Sequence, residues 1–166
     1  MKKMLYPLIM IFVIVADQIT KYMVRSSMEP GDRIAVLGKW LSIYYVQNTG
    51  TAFSMFAGNR LITVVLTSIL IIGCIIYAIK EIRDGQKLTP ILLTCVAAGG
   101  ISNMIDRLSL GYVTDMISCG RFAVFNVADM FITTGCVLLM IMVLVMYKKE
   151  SDAEKLASNK KGGSDV

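Results

Sequence analysis

Two aspartates, Asp115 and Asp129, are the residues in this sequence best suited to chemistry. Asp115 lies in Val113-Thr114-Asp115-Met116. Asp129 lies in Phe125-Asn126-Val127-Ala128-Asp129, ahead of a long apolar run. As an N-cap or loop residue, Asp115 alone would be unremarked. Asp129 is harder to dismiss, because an ionisable group entering an apolar span is expensive. If the two carboxylates meet, like charge and desolvation stop both from ionising easily, and the pair shares one proton. The ionised member can then take a proton from water as it attacks a carbonyl carbon. The protonated member can polarise that carbonyl and protonate the leaving group.

Other polar residues gather near the same places. Asp17 and Lys21 stand four apart on one helix face and can pair. Asn48 and Gly50 lie in Asn48-Thr49-Gly50-Thr51-Ala52-Phe53, a segment that also reads as a plain turn. Asn103 and Arg107 share a face by the same four-residue spacing, and Arg107 can hold a carboxylate bidentately. Asp106 points elsewhere and reads equally well as a helix-end charge. Asn126 precedes Asp129 by three residues and shares its face.

The chain has no histidine, which excludes a Ser-His-Asp triad, a Cys-His dyad and any His-ligated metal. No cofactor or metal is expected. Cys74, Cys95, Cys119 and Cys136 form no C-x-x-C motif and read as small packing residues.

The elements that must position these groups are apolar. Of the 166 residues, 55% are hydrophobic and 17% charged. Four blocks of bilayer length stand at about 4–24, 61–79, 88–105 and 122–147. The expected fold class is an all-α membrane protein of four transmembrane helices with a small β-rich extracytoplasmic cradle. Residues 1–147 read as one membrane-embedded catalytic domain, and 148–166 as a polar cytoplasmic tail that frays into water. Ala97-Ala98-Gly99-Gly100 would let helices approach closely. Trp40 to Val46 suits a strand, with turn signals at Gly31-Asp32 and Gly38-Lys39. It is expected in a sheet or hairpin on the outer membrane surface.

The net charge of +5 comes from Lys and Arg at block ends and in the tail, which points to membrane topology and away from nucleic acid. Lys2, Lys3, Lys80, Arg83, Lys87 and the tail lysines share one side, predicted cytoplasmic. The first block begins like a signal peptide, yet no A-x-A site follows and Asp17 and Lys21 interrupt it, so retention is expected. A small transporter or proton-conducting protein would use similar carboxylates, but would place them near the midplane of several spans.

Five motifs occur in order: Asp17-Gln18-Ile19-Thr20-Lys21, Asn48-Thr49-Gly50-Thr51-Ala52-Phe53, Asn103-Met104-Ile105-Asp106-Arg107, Val113-Thr114-Asp115 and Phe125-Asn126-Val127-Ala128-Asp129. Together they resemble the lipoprotein signal peptidase (signal peptidase II) family over about 4–147. The resemblance implies an aspartic endopeptidase of the bacterial cytoplasmic membrane that cuts diacylglyceryl-modified prolipoproteins before the lipidated cysteine. It implies Asp115 and Asp129 as the catalytic dyad. Asp17, Asn48, Gly50, Asn103, Arg107 and Asn126 would order the site and the substrate backbone, with Lys21 beside them in a structural role. Substrate and membrane lipid are the implied partners, and the expected state is a monomer. Three features depart from the family pattern: Ser102 where Gly is usual, Met116 where Phe is common, and a shorter link from Asp115 to Asp129. Ile71-Ile72-Gly73-Cys74 superficially resembles the substrate's own lipobox, but it lies within the second span and reads as packing.

Overall fold

The computed structural model describes residues 4–50, 60–120 and 123–162. Thr51, Ala52, Phe53, Phe122, Lys2 and Lys3 lie outside the described residues. Helix α1 (Leu5–Ser27) leads into β1 (Arg33–Leu37) and β2 (Leu41–Asn48). Helices α2 (Arg60–Arg83) and α3 (Leu88–Ser109) follow. Strands β3 (Val113–Cys119) and β4 (Val124–Phe125) precede α4 (Val127–Gly162). All four helices are long and apolar enough to cross a bilayer. A helix of some 22 residues is about 33 Å long, which matches the hydrocarbon core.

Helix α3 is central, packing against α1, α2 and α4 and burying more of its length than any of them. Its small residues explain this. A Cβ added at Gly99 would lie 2.7 Å from the Ala128 carbonyl oxygen and 2.7 Å from Ile132 Cγ1. On the facing helix, a Cβ at Gly135 would lie 2.7 Å from Val96 Cγ2. Only glycine lets the two backbones approach this closely.

The four strands form one antiparallel sheet in the order β1-β2-β3-β4. It sits at the end of the bundle where α1 finishes. Val24 of α1 packs with Tyr45 and Met116 in an apolar cluster beneath the sheet. Met116, at the position where the family favours Phe, is therefore a packing residue. Val36 is an extra residue in β1: Ala35 pairs with Ser42 and Leu37 with Leu41. This bulge turns Leu37 onto the face that carries Ile34 and Ile43.

The apolar block that begins near 122 is divided between two elements. Val124 and Phe125 pair with Ser118 and Ile117 of β3, and the helix begins only at Val127. A two-residue strand looks like the start of a span because both are apolar. At the other end α4 continues to Gly162, through a segment whose composition suggests a frayed tail. Ala, Glu, Lys and Leu there are all good helix formers. Cys119 and Cys136 are exposed, so packing does not account for either of them.

Candidate active site

Asp115 projects from β3 and Asp129 from the first turn of α4. Both line one cavity of about 680 Å³, together with Asn48, Gly50, Asn103 and Arg107. The rest of the wall is largely apolar and comes from α2, α3 and α4, including Leu70, Ile71, Cys74, Val96 and Ile132, and from Val113, Val124 and Phe125 of β3 and β4. The lipobox-like segment thus places Ile71 and Cys74 on the cavity wall.

Each carboxylate is held by amides. Asp115 Oδ2 accepts from Asn48 Nδ2 at 2.9 Å, and its Oδ1 accepts from Asn126 Nδ2 at 2.7 Å. The Gly50 backbone N–H donates to Asn48 Oδ1 at 3.0 Å, which fixes the Asn48 amide with its nitrogen toward Asp115. Asp129 Oδ1 accepts from Asn103 Nδ2 at 2.8 Å. Arg107 is half-buried and acts electrostatically on Asp129 first and Asp115 second.

Asn126 is the N-cap of α4. Its Oδ1 accepts the Asp129 backbone N–H at 2.9 Å, while Asp129 Oδ2 accepts the Asn126 N–H at 3.2 Å. This reciprocal pair is a capping box, and it explains the three-residue spacing of the motif. With its oxygen spent on the cap, the Asn126 amide must turn its nitrogen to Asp115.

Behind the cavity lies a buried polar layer. Lys21 has no exposed side-chain surface. Its Nζ contacts Asp17 Oδ2 at 2.7 Å and Asp106 Oδ2 at 3.1 Å, and donates to Asn103 Oδ1 at 2.8 Å. That last bond orients Asn103 with its nitrogen toward Asp129. Asp17 Oδ1 accepts the Ala128 N–H at 2.8 Å, at the positive end of α4. Ser102 Oγ donates to Asp17 Oδ2 at 2.7 Å. Asp17 and Lys21 therefore position the site without lining the cavity.

Asp106 belongs to this layer as well. Besides Lys21 it accepts from the Thr114 N–H at 2.9 Å and Gln18 Nε2 at 3.1 Å, and Arg25 stands 3.7 Å away. From spacing alone Asp106 reads as a helix-end charge. The missed signal is spacing: Asp17, Lys21 and Arg25 recur every four residues, a cationic and anionic stripe that needs an opposing acid. Among the described residues, no buried side-chain nitrogen or oxygen is left without a hydrogen-bond partner.

Burial pushes the Asp115 carboxyl up to about 6. The Asn48 hydrogen bond opposes this, the Asp129 charge adds to it, and Asn126 and Lys21 pull it down. A carboxyl so placed changes protonation near neutral pH, as an acid–base group must.

Four bilayer-length helices, holding two carboxylates over one cavity beside a small sheet, define a multi-pass membrane protein with a carboxylate-lined cavity. The family model for signal peptidase (SPase) II matches residues 9–145. The lipoprotein signal peptidase of Shouchella clausii (strain KSM-K16) is 38% identical over 144 residues, 86% of this chain and 95% of that protein. That of Streptococcus agalactiae serotype Ia is 36% identical over 154 residues, 92% and 97%. A bacterial membrane enzyme solved by the in meso method at 2.3 Å resolution superposes with a TM-score of 0.77 at 31% identity, over 84% of this chain and 87% of its own. The chain belongs to the signal peptidase II family. It is a bacterial multi-pass membrane peptidase.

Proposed function

We propose that the chain is an aspartic endopeptidase that removes the signal peptide from diacylglyceryl-modified prolipoproteins, cutting before the lipidated cysteine. The observation that carries the reading is the convergence of Asp115 and Asp129 on one cavity, each fixed by its own amide donors. The relatives are named lipoprotein signal peptidases, which supports the substrate class.

In this reading the dyad holds one proton. The ionised carboxylate takes a proton from water as the water oxygen adds to the scissile carbonyl carbon. The protonated carboxyl donates to the carbonyl oxygen. Collapse of the tetrahedral intermediate breaks the C–N bond, and the amine leaves with a proton from the dyad. Arg107 and Asn48 face the cavity and serve the substrate backbone. The apolar wall of α2, α3 and α4 suits an apolar signal segment. The enzyme acts as a monomer in the cytoplasmic membrane, with both termini cytoplasmic and the site near the outer face, following the placement of Lys and Arg. Membrane lipid surrounds it.

Incubation of a diacylglyceryl-modified prolipoprotein with the purified protein in detergent, followed by mass spectrometry, tests substrate and cut site. The expected product begins at the lipidated cysteine, and the unlipidated precursor stays intact. A cut elsewhere, or equal cutting of both precursors, contradicts the reading.

A further inference from the structure

The residue before Asp115 is held by three helices at once. Thr114 has no exposed surface. Its backbone N–H donates to Asp106 Oδ2 of α3 at 2.9 Å. Its carbonyl oxygen accepts from Asn126 Nδ2, at the N-cap of α4, at a longer 3.4 Å. Its hydroxyl Oγ1 accepts from Arg25 Nη1, in the last turn of α1, at 3.0 Å. The same Nη1 stands 3.7 Å from Asp106 Oδ1. One guanidinium therefore faces both the strand and the acid that tethers it.

The sheet alone does not fix this stretch. Among the described residues, β4 pairs with β3 only at Ile117 and Ser118, so Thr114 and Asp115 have β2 as their one strand neighbour. On the β2 side the register shifts between Ile43 and Val46. The shift separates the pairs at Val113, Thr114 and Asp115 from those at Ile117, Ser118 and Cys119. A ladder interrupted in this way leaves the place of the strand to its other bonds.

We propose that Arg25 is a positioning residue for the reaction: through the Thr114 hydroxyl it fixes the β3 backbone from which Asp115 reaches the cavity. The proposal rests on Asp115 acting in the dyad. Alternation along β3 puts Thr114 on the face opposite Asp115, toward the helices, so a bond to its hydroxyl holds the strand from behind. Hydrogen bonds from an ionised donor are shorter and stronger than neutral ones. Arg25 is also the second cation beside Asp17 and Asp106, after Lys21. Its side chain is 22% exposed where that of Lys21 is wholly buried, so it stands at the edge of the polar layer. Neither Arg25 nor Thr114 lines the cavity, so an effect of either on rate passes through Asp115.

Thr114→Val tests the bond, because it keeps the β-branched shape and removes the acceptor. Initial rates on lipidated precursor are measured for wild type, Thr114→Val, Thr114→Ser, Arg25→Met and Arg25→Met/Thr114→Val, with Asp115→Asn as the control for the site. Each variant is first shown to be folded by its thermal transition. Misplacing a reacting group slightly is costly, so Thr114→Val is expected to lower kcat about tenfold or more with KM nearly unchanged. Thr114→Ser restores the oxygen and is expected to stay near the wild-type rate. Arg25→Met is expected to lower kcat as well, and the double variant to fall no further than Arg25→Met alone, because both changes remove one bond. Wild-type kcat in Thr114→Val, equal losses in the Val and Ser variants, or losses that multiply in the double variant overturn the proposal and leave the dyad standing. A lowered unfolding temperature with kcat unchanged assigns the bond to stability alone and overturns it too. Cleavage by Asp115→Asn at the wild-type rate removes the reading of the site on which the proposal rests.

Discussion

The Asn126 amide joins the two acids: its Nδ2 donates to Asp115 Oδ1 at 2.7 Å, and its Oδ1 caps the Asp129 backbone N–H at 2.9 Å. One side chain thereby sets both the start of α4 and the orientation of a carboxylate on β3. Asn126→Ala removes both bonds. Loss of a hydrogen bond to a charged group costs roughly 1.5–3 kcal/mol. The expected outcome is a fall in kcat of about 10- to 100-fold, with a smaller change in KM, measured by initial rates on lipidated precursor.

Lys21 faces Asp17 and Asp106 with no exposed surface. Lys21→Met leaves two buried carboxylates without their cation, and breaking a buried pair this way typically costs about 3–5 kcal/mol. A lowered unfolding temperature in detergent is expected. Adding Asp106→Asn should recover part of the loss, because one orphaned charge is removed. If the double variant is less stable by the full sum of the two single losses, the three groups do not form one layer.

The Asp115 carboxyl, pushed up to about 6, places a basic limb in the rate profile. Above that pH Asp115 gives up the proton that serves the carbonyl oxygen and the leaving amine, so kcat/KM should fall as pH rises. Asn48 stabilises the charged form of Asp115, so Asn48→Ala should move the limb to higher pH. A profile recorded on both proteins checks the direction.

The same shift has a stability sign. The folded protein binds the Asp115 proton more tightly than the unfolded chain, whose carboxyl titrates near 3.8. Wild-type stability is therefore lost as pH rises from about 4 to about 6, by up to about 3 kcal/mol at about 1.4 kcal/mol per unit. Asp115→Asn does not titrate. The unfolding temperature of the variant relative to wild type should rise across that window.

Gly99→Val tests the helix contact that carries Asp129. The new side chain would meet the Ala128 carbonyl oxygen and Ile132. Separation of α3 from α4 should lower both the unfolding temperature and the rate, since Asn103 and Asp129 sit on opposite sides of that contact.

The spans were legible because a bilayer demands long apolar blocks, and the site was legible because charge inside such blocks is costly. Asp17, Lys21, Asn103, Asp115, Asn126 and Asp129 all stood out for that reason, and all lie in one connected network. Asp106 did not, because its meaning depends on how α3 is rotated against α1, which spacing within α3 alone leaves open. The start of α4 was hidden because Val124 and Phe125 are as apolar in a strand as in a span. The bulge at Val36 left no mark in composition, since its consequence appears only in the pairing of β1 with β2.

The central claim is that Asp115 and Asp129 act as one catalytic pair. The direct measurement is the single-turnover rate of Asp115→Asn and Asp129→Asn on diacylglyceryl-modified prolipoprotein, each variant first shown to be folded by its thermal transition. The account predicts that both variants leave the precursor intact. Cleavage at the wild-type rate by either one contradicts it.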